Sequence, residues 1–113
     1  PVNEMPVGTI VVNSYGYKLR KKQMEGTIWE RWEFLHRAVW EEHNGPIPEG
    51  MVITFKDSNK LNCDISNLMM ITKGENSALT RYGYRFEDPD LTETGLAVAR
   101  LKQAVAKKRR SKT

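Results

Sequence analysis

Cysteine is nearly absent: Cys63 is the one thiol in 113 residues. A lone Cys builds neither an internal disulfide framework nor a cysteine-based zinc finger. It fits a reducing compartment such as the cytoplasm. Long apolar runs are missing as well. None exceeds four residues, as in Leu68-Met69-Met70-Ile71, far short of the roughly 20 residues that a membrane helix needs. No apolar segment resembles a signal peptide. The first residue is Pro1 and not Met, which leaves open what precedes it. Repeats with a period of about 20–50 residues and low-complexity segments are lacking, which argues against solenoids and propellers.

What remains is ordinary globular composition: 39% hydrophobic and 28% charged residues. The length suits one small core with an appendage, not two cores. The formal net charge is +4. Residues 107–112, Lys-Lys-Arg-Arg-Ser-Lys, hold five positive charges and no negative one. Without them, 13 basic residues face 14 acidic ones, a net of −1. The body is nearly neutral and the excess is a tail. Such a tail serves either nucleic-acid contact or solubility.

Thr9 to Val12 reads as a strand, being rich in β-branched residues. Asn13-Ser-Tyr-Gly16 is turn chemistry. Tyr17 to Lys22 is a second strand, with Tyr17, Leu19 and Lys21 alternating against Lys18, Arg20 and Lys22. Four basic residues in five positions suit phosphate contact, or equally the protection of a sheet edge. From Thr27 the period changes. Trp32, Leu35, His36, Val39 and Trp40 predict a helix over about residues 30–43. Asn44-Gly45 ends it, and Pro46 and Pro48 forbid its continuation.

Met51 to Phe55 is a plain strand, and Lys56 to Asp64 a polar, Asx-built loop. Ile65-Ser66-Asn67 forms a single helical turn before a strand at Leu68–Ile71. Thr72 with Glu75 is a capping box opening a helix that carries Asn76 and Leu79 and closes at Gly83. Residues 84–90 read as a polar linker. Thr92 to Lys108 is helical, with a stripe of Leu96, Ala97, Leu101, Ala104 and Val105. Gly95 lies early enough in it to be tolerated. The stripe calls for a partner surface, on the body or on a second copy.

A strand, an Asx loop, a strand and a capped helix can hold one divalent cation. The end of the first strand and the first turn of the helix supply ligands. A histidine beside the strand ligand would deprotonate a water for attack on a phosphate. Residues 32–80 closely resemble the phage-borne HNH nucleases, homing endonucleases included. The resemblance rests on the LHRAVWE helix, the NGPIPEGM connector, the KDSNKLN loop, the ISNL turn and the KGEN helix start. It implies an α+β fold: a small antiparallel hairpin plus helices, with a ββα-metal core of the HNH (His-Me finger) type and a C-terminal helix. The corresponding division is a basic hairpin at 1–26, an HNH-like domain at 27–83, and a linker, helix and basic tail at 84–113. It also implies phosphodiester nicking of duplex DNA with Mg²⁺ or another divalent cation, by a phage or prophage protein in the host cytoplasm.

Carried over residue by residue, the resemblance puts the strand metal ligand at Thr54 and the general base at Phe55. Asn67 matches the asparagine that orients the site, and on the residues alone it equally caps a turn. Asn76 matches the helix ligand of the metal, and Asp57 and Asn62 match loop positions. Phenyl accepts no proton, and a general base contributes roughly 10²–10⁴-fold in rate. A neutral hydroxyl is a poor ligand for Mg²⁺. His36 or His43 as a substitute base, or Asp57 as a substitute ligand, are the conceivable rescues. The expectation is a nuclease scaffold that cuts weakly or not at all. The alternative is a non-catalytic DNA-binding or protein-interaction factor. The DNA contacts expected are Lys18, Arg20, Lys21, Lys22, Lys56, Lys60, Lys107, Lys108, Arg109 and Arg110. The partners expected are duplex DNA, no membrane, and a protein or second copy on the C-terminal helix.

Overall fold

The computed structural model describes residues 5–111, with side chains up to Lys108. The chain divides into two compact units. The first takes the residues up to Ile47 together with Lys60–Leu68; the second takes Pro48–Asn59 and everything from Met69 onward.

The first unit is built on an antiparallel sheet of β1 (Ile10–Val12), β2 (Lys18–Lys21) and β3 (Trp32–Phe34). The turn between β1 and β2 forms as its residues suggest: the Asn13 side chain accepts from the amides of Tyr15 and Tyr17, both at 3.0 Å. A one-turn helix, α1 (Ile28–Arg31), is capped by Thr27, whose hydroxyl accepts from the Glu30 amide.

The helix expected over residues 30–43 starts later than its periodicity implies. Residues 32–34 are β3, paired Leu19↔Phe34, Arg20↔Glu33 and Lys21↔Trp32, and α2 (Leu35–Asn44) begins after it. Trp32 and Phe34 satisfy a period of two as well as a helical one. The hydrogen bonds on offer from β2 decide between them, a tertiary override of local pattern. Tyr17, Phe34 and His36 then gather, with ring centroids 5.5–5.8 Å apart.

The second unit contains β4 (Met51–Phe55) and, from Met69 on, β5 (Leu68–Thr72), paired as a two-stranded sheet, then α3 (Lys73–Arg81) and α4 (Pro89–Ser111). The capping box at the start of α3 is complete. The Thr72 hydroxyl accepts from the Glu75 amide at 3.0 Å, and the Glu75 carboxylate accepts from the Thr72 amide at 2.8 Å. Met69, Ile71, Leu79 and Leu96 form the core, with Val52 and Tyr84 packed on it. Each fully buried Leu or Ile contributes about 1.5–3 kcal/mol.

α4 is longer than expected, and its buried face is different. It starts at Pro89, where the missing N–H of a first-turn proline costs nothing. The Asp88 carboxylate accepts from the Asp90 amide at 2.9 Å. Thr92, Gly95, Leu96 and Ala99 are buried, whereas Ala97, Leu101, Ala104 and Val105 of the expected stripe are exposed. Closeness of packing selects this face: a Cβ on Gly95 would lie 2.6 Å from that of Tyr84. Gly95 is therefore required by its neighbour, not merely tolerated.

Among the described residues no helix is long and apolar enough to cross a membrane.

Candidate functional site

Thr54 and Phe55 end β4, and both are buried, Phe55 at 4% exposure. Asn76 stands in the first half of α3 and is half-buried. The two positions expected to hold a metal are brought together, and a third residue joins them. The Arg85 guanidinium donates from Nη1 to the Thr54 hydroxyl at 3.1 Å. Its Nη2 donates to the Asn76 backbone carbonyl at 3.1 Å and to the Asn76 side-chain oxygen over a very short contact. Its Nε donates to the Thr80 hydroxyl at 3.0 Å.

Local chain rules deliver Arg85 to that point. Gly83, with φ of 70°, ends α3 in the left-handed conformation. The Gly83 amide donates to the Thr80 carbonyl at 3.3 Å and the Tyr84 amide to the Leu79 carbonyl at 2.9 Å. This is a Schellman turn, which reverses the chain over the helix it has just left. The next side chain, Arg85, then lies back along α3 toward Thr80 and Asn76. The Phe86 amide donates to the wholly buried Thr92 hydroxyl at 3.1 Å, which ties the turn to α4. Sequence alone reads residues 84–90 as a linker and misses Arg85. The signal available is Gly83 with a cation two residues later.

The donor set does not fit a divalent cation. Mg²⁺ prefers charged oxygens in a near-octahedral set, and Thr54 and Asn76 supply only neutral ones. Among the described residues no group of three His, Cys, Asp or Glu side chains is placed to hold a metal. Asp57 is half-buried, and one of its carboxylate oxygens accepts from the Asn59 amide at 2.9 Å.

The rest of the expected site falls in the first unit. Asn67 is buried, and its amide donates to the Asn62 carbonyl at 3.0 Å, bracing the loop before β5. Asp64 caps the single turn at Ile65–Asn67 by accepting from the Ser66 amide and hydroxyl, which holds its carboxyl below the ordinary value. His36 is buried, stacked on Tyr17, and burial lowers its pKa to about 4, helped by Arg37. It is neutral at pH 7 but walled in by aromatic rings. His43 is exposed, with Nδ1 2.9 Å from the Val39 carbonyl of its own helix.

Several of the basic residues are engaged within their own unit. Lys21 is wholly buried, its ammonium 5.8 Å from the Trp32 ring centroid, so it offers no surface charge to a phosphate. The alternation of β2 explains this, since Lys21 shares a face with Tyr17 and Leu19. Arg20 is paired with Glu42 at 2.8 Å and lies 3.6 Å from Glu33. Lys56 is paired with Glu93 at 2.9 Å. Lys60 donates to the Tyr15 carbonyl at 3.1 Å and lies over the Tyr17 ring at 4.6 Å. Lys18 is half-buried, and Lys22, Lys107 and Lys108 are exposed. The side chains of Arg109 and Arg110 lie outside the described residues.

Comparison with known proteins agrees with the resemblance read from the motifs. The HNH endonuclease family profile matches residues 33–78. The uncharacterized gene 5.3 protein of Enterobacteria phage T3 is 36% identical over 77 residues, covering 63% of this chain and 75% of that protein. Protein 3.8 of Escherichia phage T7 is 48% identical over 42 residues, covering 37% of this chain and 35% of that protein. No solved structure shows a significant match.

Proposed function

From the premise that the chain belongs to the HNH endonuclease family, which the profile match over residues 33–78 supports, we propose a DNA-binding member that cleaves weakly or not at all. The family generally depends on a divalent metal. The observation that carries the reading is Phe55, buried at the position matched to the general base. A phenyl ring there leaves the attacking water without a proton acceptor. Thr54 and Asn76 supply no anionic oxygen to a metal, which removes a second contribution.

DNA remains the substrate class that this lineage implies. The exposed Lys22, Lys107 and Lys108 support backbone contact. The paired Arg20 and Lys56 and the buried Lys21 support a footprint smaller than a count of cations suggests. Each neutralised phosphate adds roughly 0.9 to the log–log salt slope.

The test is incubation of supercoiled plasmid with the wild-type chain and Mg²⁺ or Mn²⁺. No nicking above background is expected. Rapid nicking that vanishes in Asn76→Ala would overturn the reading. Duplex binding is measured separately by fluorescence anisotropy across salt. Deleting residues 107–113 should weaken binding and flatten the slope, and unchanged binding assigns the tail to solubility. A protein partner is the second reading. It is favoured by Trp29, 71% exposed beside a groove lined by Leu19, Trp32 and Phe34. A chain that binds no duplex at low salt would move the assignment there.

A further inference from the structure

We propose that Arg85 stands in the place of a divalent cation, as a positive charge built into the chain that makes this site independent of metal. The inference rests on the family reading only for which residues mark the metal's place. It goes beyond that reading in naming the group that occupies the point and its consequence for metal binding.

Three observations carry it. Arg85 engages both positions expected to be ligands, Thr54 and Asn76, through different nitrogens of one planar group. The oxygens it meets there and at Thr80 are hydroxyls, a carbonyl and an amide oxygen, all acceptors for N–H donors and none carrying the negative charge that offsets a dication. The placement is also enforced from outside the site. The Schellman turn at Gly83, the Tyr84 ring packed on Gly95 and the Thr92 hydroxyl on Phe86 fix the backbone on both sides of Arg85.

The substitution is chemically coherent. A guanidinium stays charged at every physiological pH and brings several N–H donors in a fixed fork. It satisfies oxygens that a metal would have drawn together. A dication arriving at the same oxygens meets a like charge within hydrogen-bonding range of each of them. The hydroxyl at position 54 and Arg85 thus suit each other: a carboxylate there would suit a metal, and a hydroxyl suits the fork.

The test reads metal binding and stability, not cleavage. Thermal melts of the full chain are run with EDTA, Mg²⁺ or Mn²⁺, and Mn²⁺ binding is followed by electron paramagnetic resonance. The wild type should melt at the same temperature in all three and bind Mn²⁺ no better than Asn76→Ala does. Arg85→Ala combined with Thr54→Asp opens the point and supplies an anionic oxygen. It should bind Mn²⁺ at least tenfold tighter than the wild type. Wild-type Mn²⁺ binding that is lost in Asn76→Ala overturns the proposal. So does a folded double variant with no gain in Mn²⁺ binding. If the double variant does not fold by circular dichroism, the wild-type arm decides alone. Nicking without Mn²⁺ bound at this point would sink the proposed weak cleavage and leave the role of Arg85 standing. Mn²⁺ bound at Asn76 without nicking would do the reverse.

Discussion

Both histidines, His36 and His43, belong to the first unit, whereas Thr54, Phe55 and Asn76 belong to the second. The first unit has groups able to take a proton but commits them to its own structure: His36 is buried among rings, and the His43 ring lies against its own helix. The second unit brings the oxygens of Thr54 and Asn76 together at the end of a strand and the start of a capped helix, with the Arg85 guanidinium bonded to both and the Phe55 ring buried beside Thr54. Scaffold and chemistry are therefore separable in this fold. The capping box, the Asx loop and the C-terminal turn of α3 are each held by hydrogen bonds of their own, whatever the site does.

The comparison is most strongly probed through Leu79, which is fully buried in the small core of the second unit. Leu79→Ala should cost about 2–5 kcal/mol. All three tryptophans, Trp29, Trp32 and Trp40, lie in the first unit, while α3 and α4 dominate the helix signal. In urea, the midpoint seen by circular dichroism should fall further than the midpoint seen by tryptophan fluorescence. Equal falls would break the comparison by showing one cooperative body.

Gly95→Ala comes next. In an exposed helix this change stabilises by up to about 1 kcal/mol. Here the new methyl meets Tyr84, and a loss of about 1–3 kcal/mol is expected by the same measurement. A gain in stability would mean that Tyr84 yields freely.

The third probe belongs to the first unit. His36 titrates near 4 when folded and near 6.5 when unfolded. The unfolded chain binds the extra proton between those values, so stability is full above about pH 6.5 and falls as pH drops toward 4. Lowering the pH from 7 to 5 should remove about 1–2 kcal/mol. His36→Phe should flatten that window; a window that survives belongs to another group.

The smallest effect is expected for Thr72→Ala, which removes one half of the capping box and costs about 1 kcal/mol. A change near zero would show that Glu75 is held by Arg100 alone, through their 2.6 Å contact.

Much of the segment from Met51 to Leu79 is legible because its rules are local: β-branched strand residues, Asx side chains bonding amides two residues on, and Thr72 with Glu75. The same holds for the turn at Asn13. The features that escape a local reading are set at longer range. Trp32 and Phe34 carry a helical spacing, but a neighbouring strand claims them. The buried face of α4 is chosen by how close Tyr84 comes, so Gly95 and Ala99 matter more than Leu101. Alternation puts Lys21 on the correct strand face, yet its charge hides the consequence that this face is interior. Arg85 lies nine residues from Asn76 and 31 from Thr54. No local pattern announces that meeting, although Gly83 marks where the chain turns back.

The ammonium of Lys21, sealed beneath Trp32, also sets what reagents can find on this chain. An amine-reactive label applied to the native protein should mark Lys22 and pass over the residue beside it. Trypsin should likewise spare the bond after Lys21 until the sheet opens. Two adjacent lysines thus form an internal pair, one a reference and one a reporter, from which the opening of the N-terminal sheet can be followed by peptide mass.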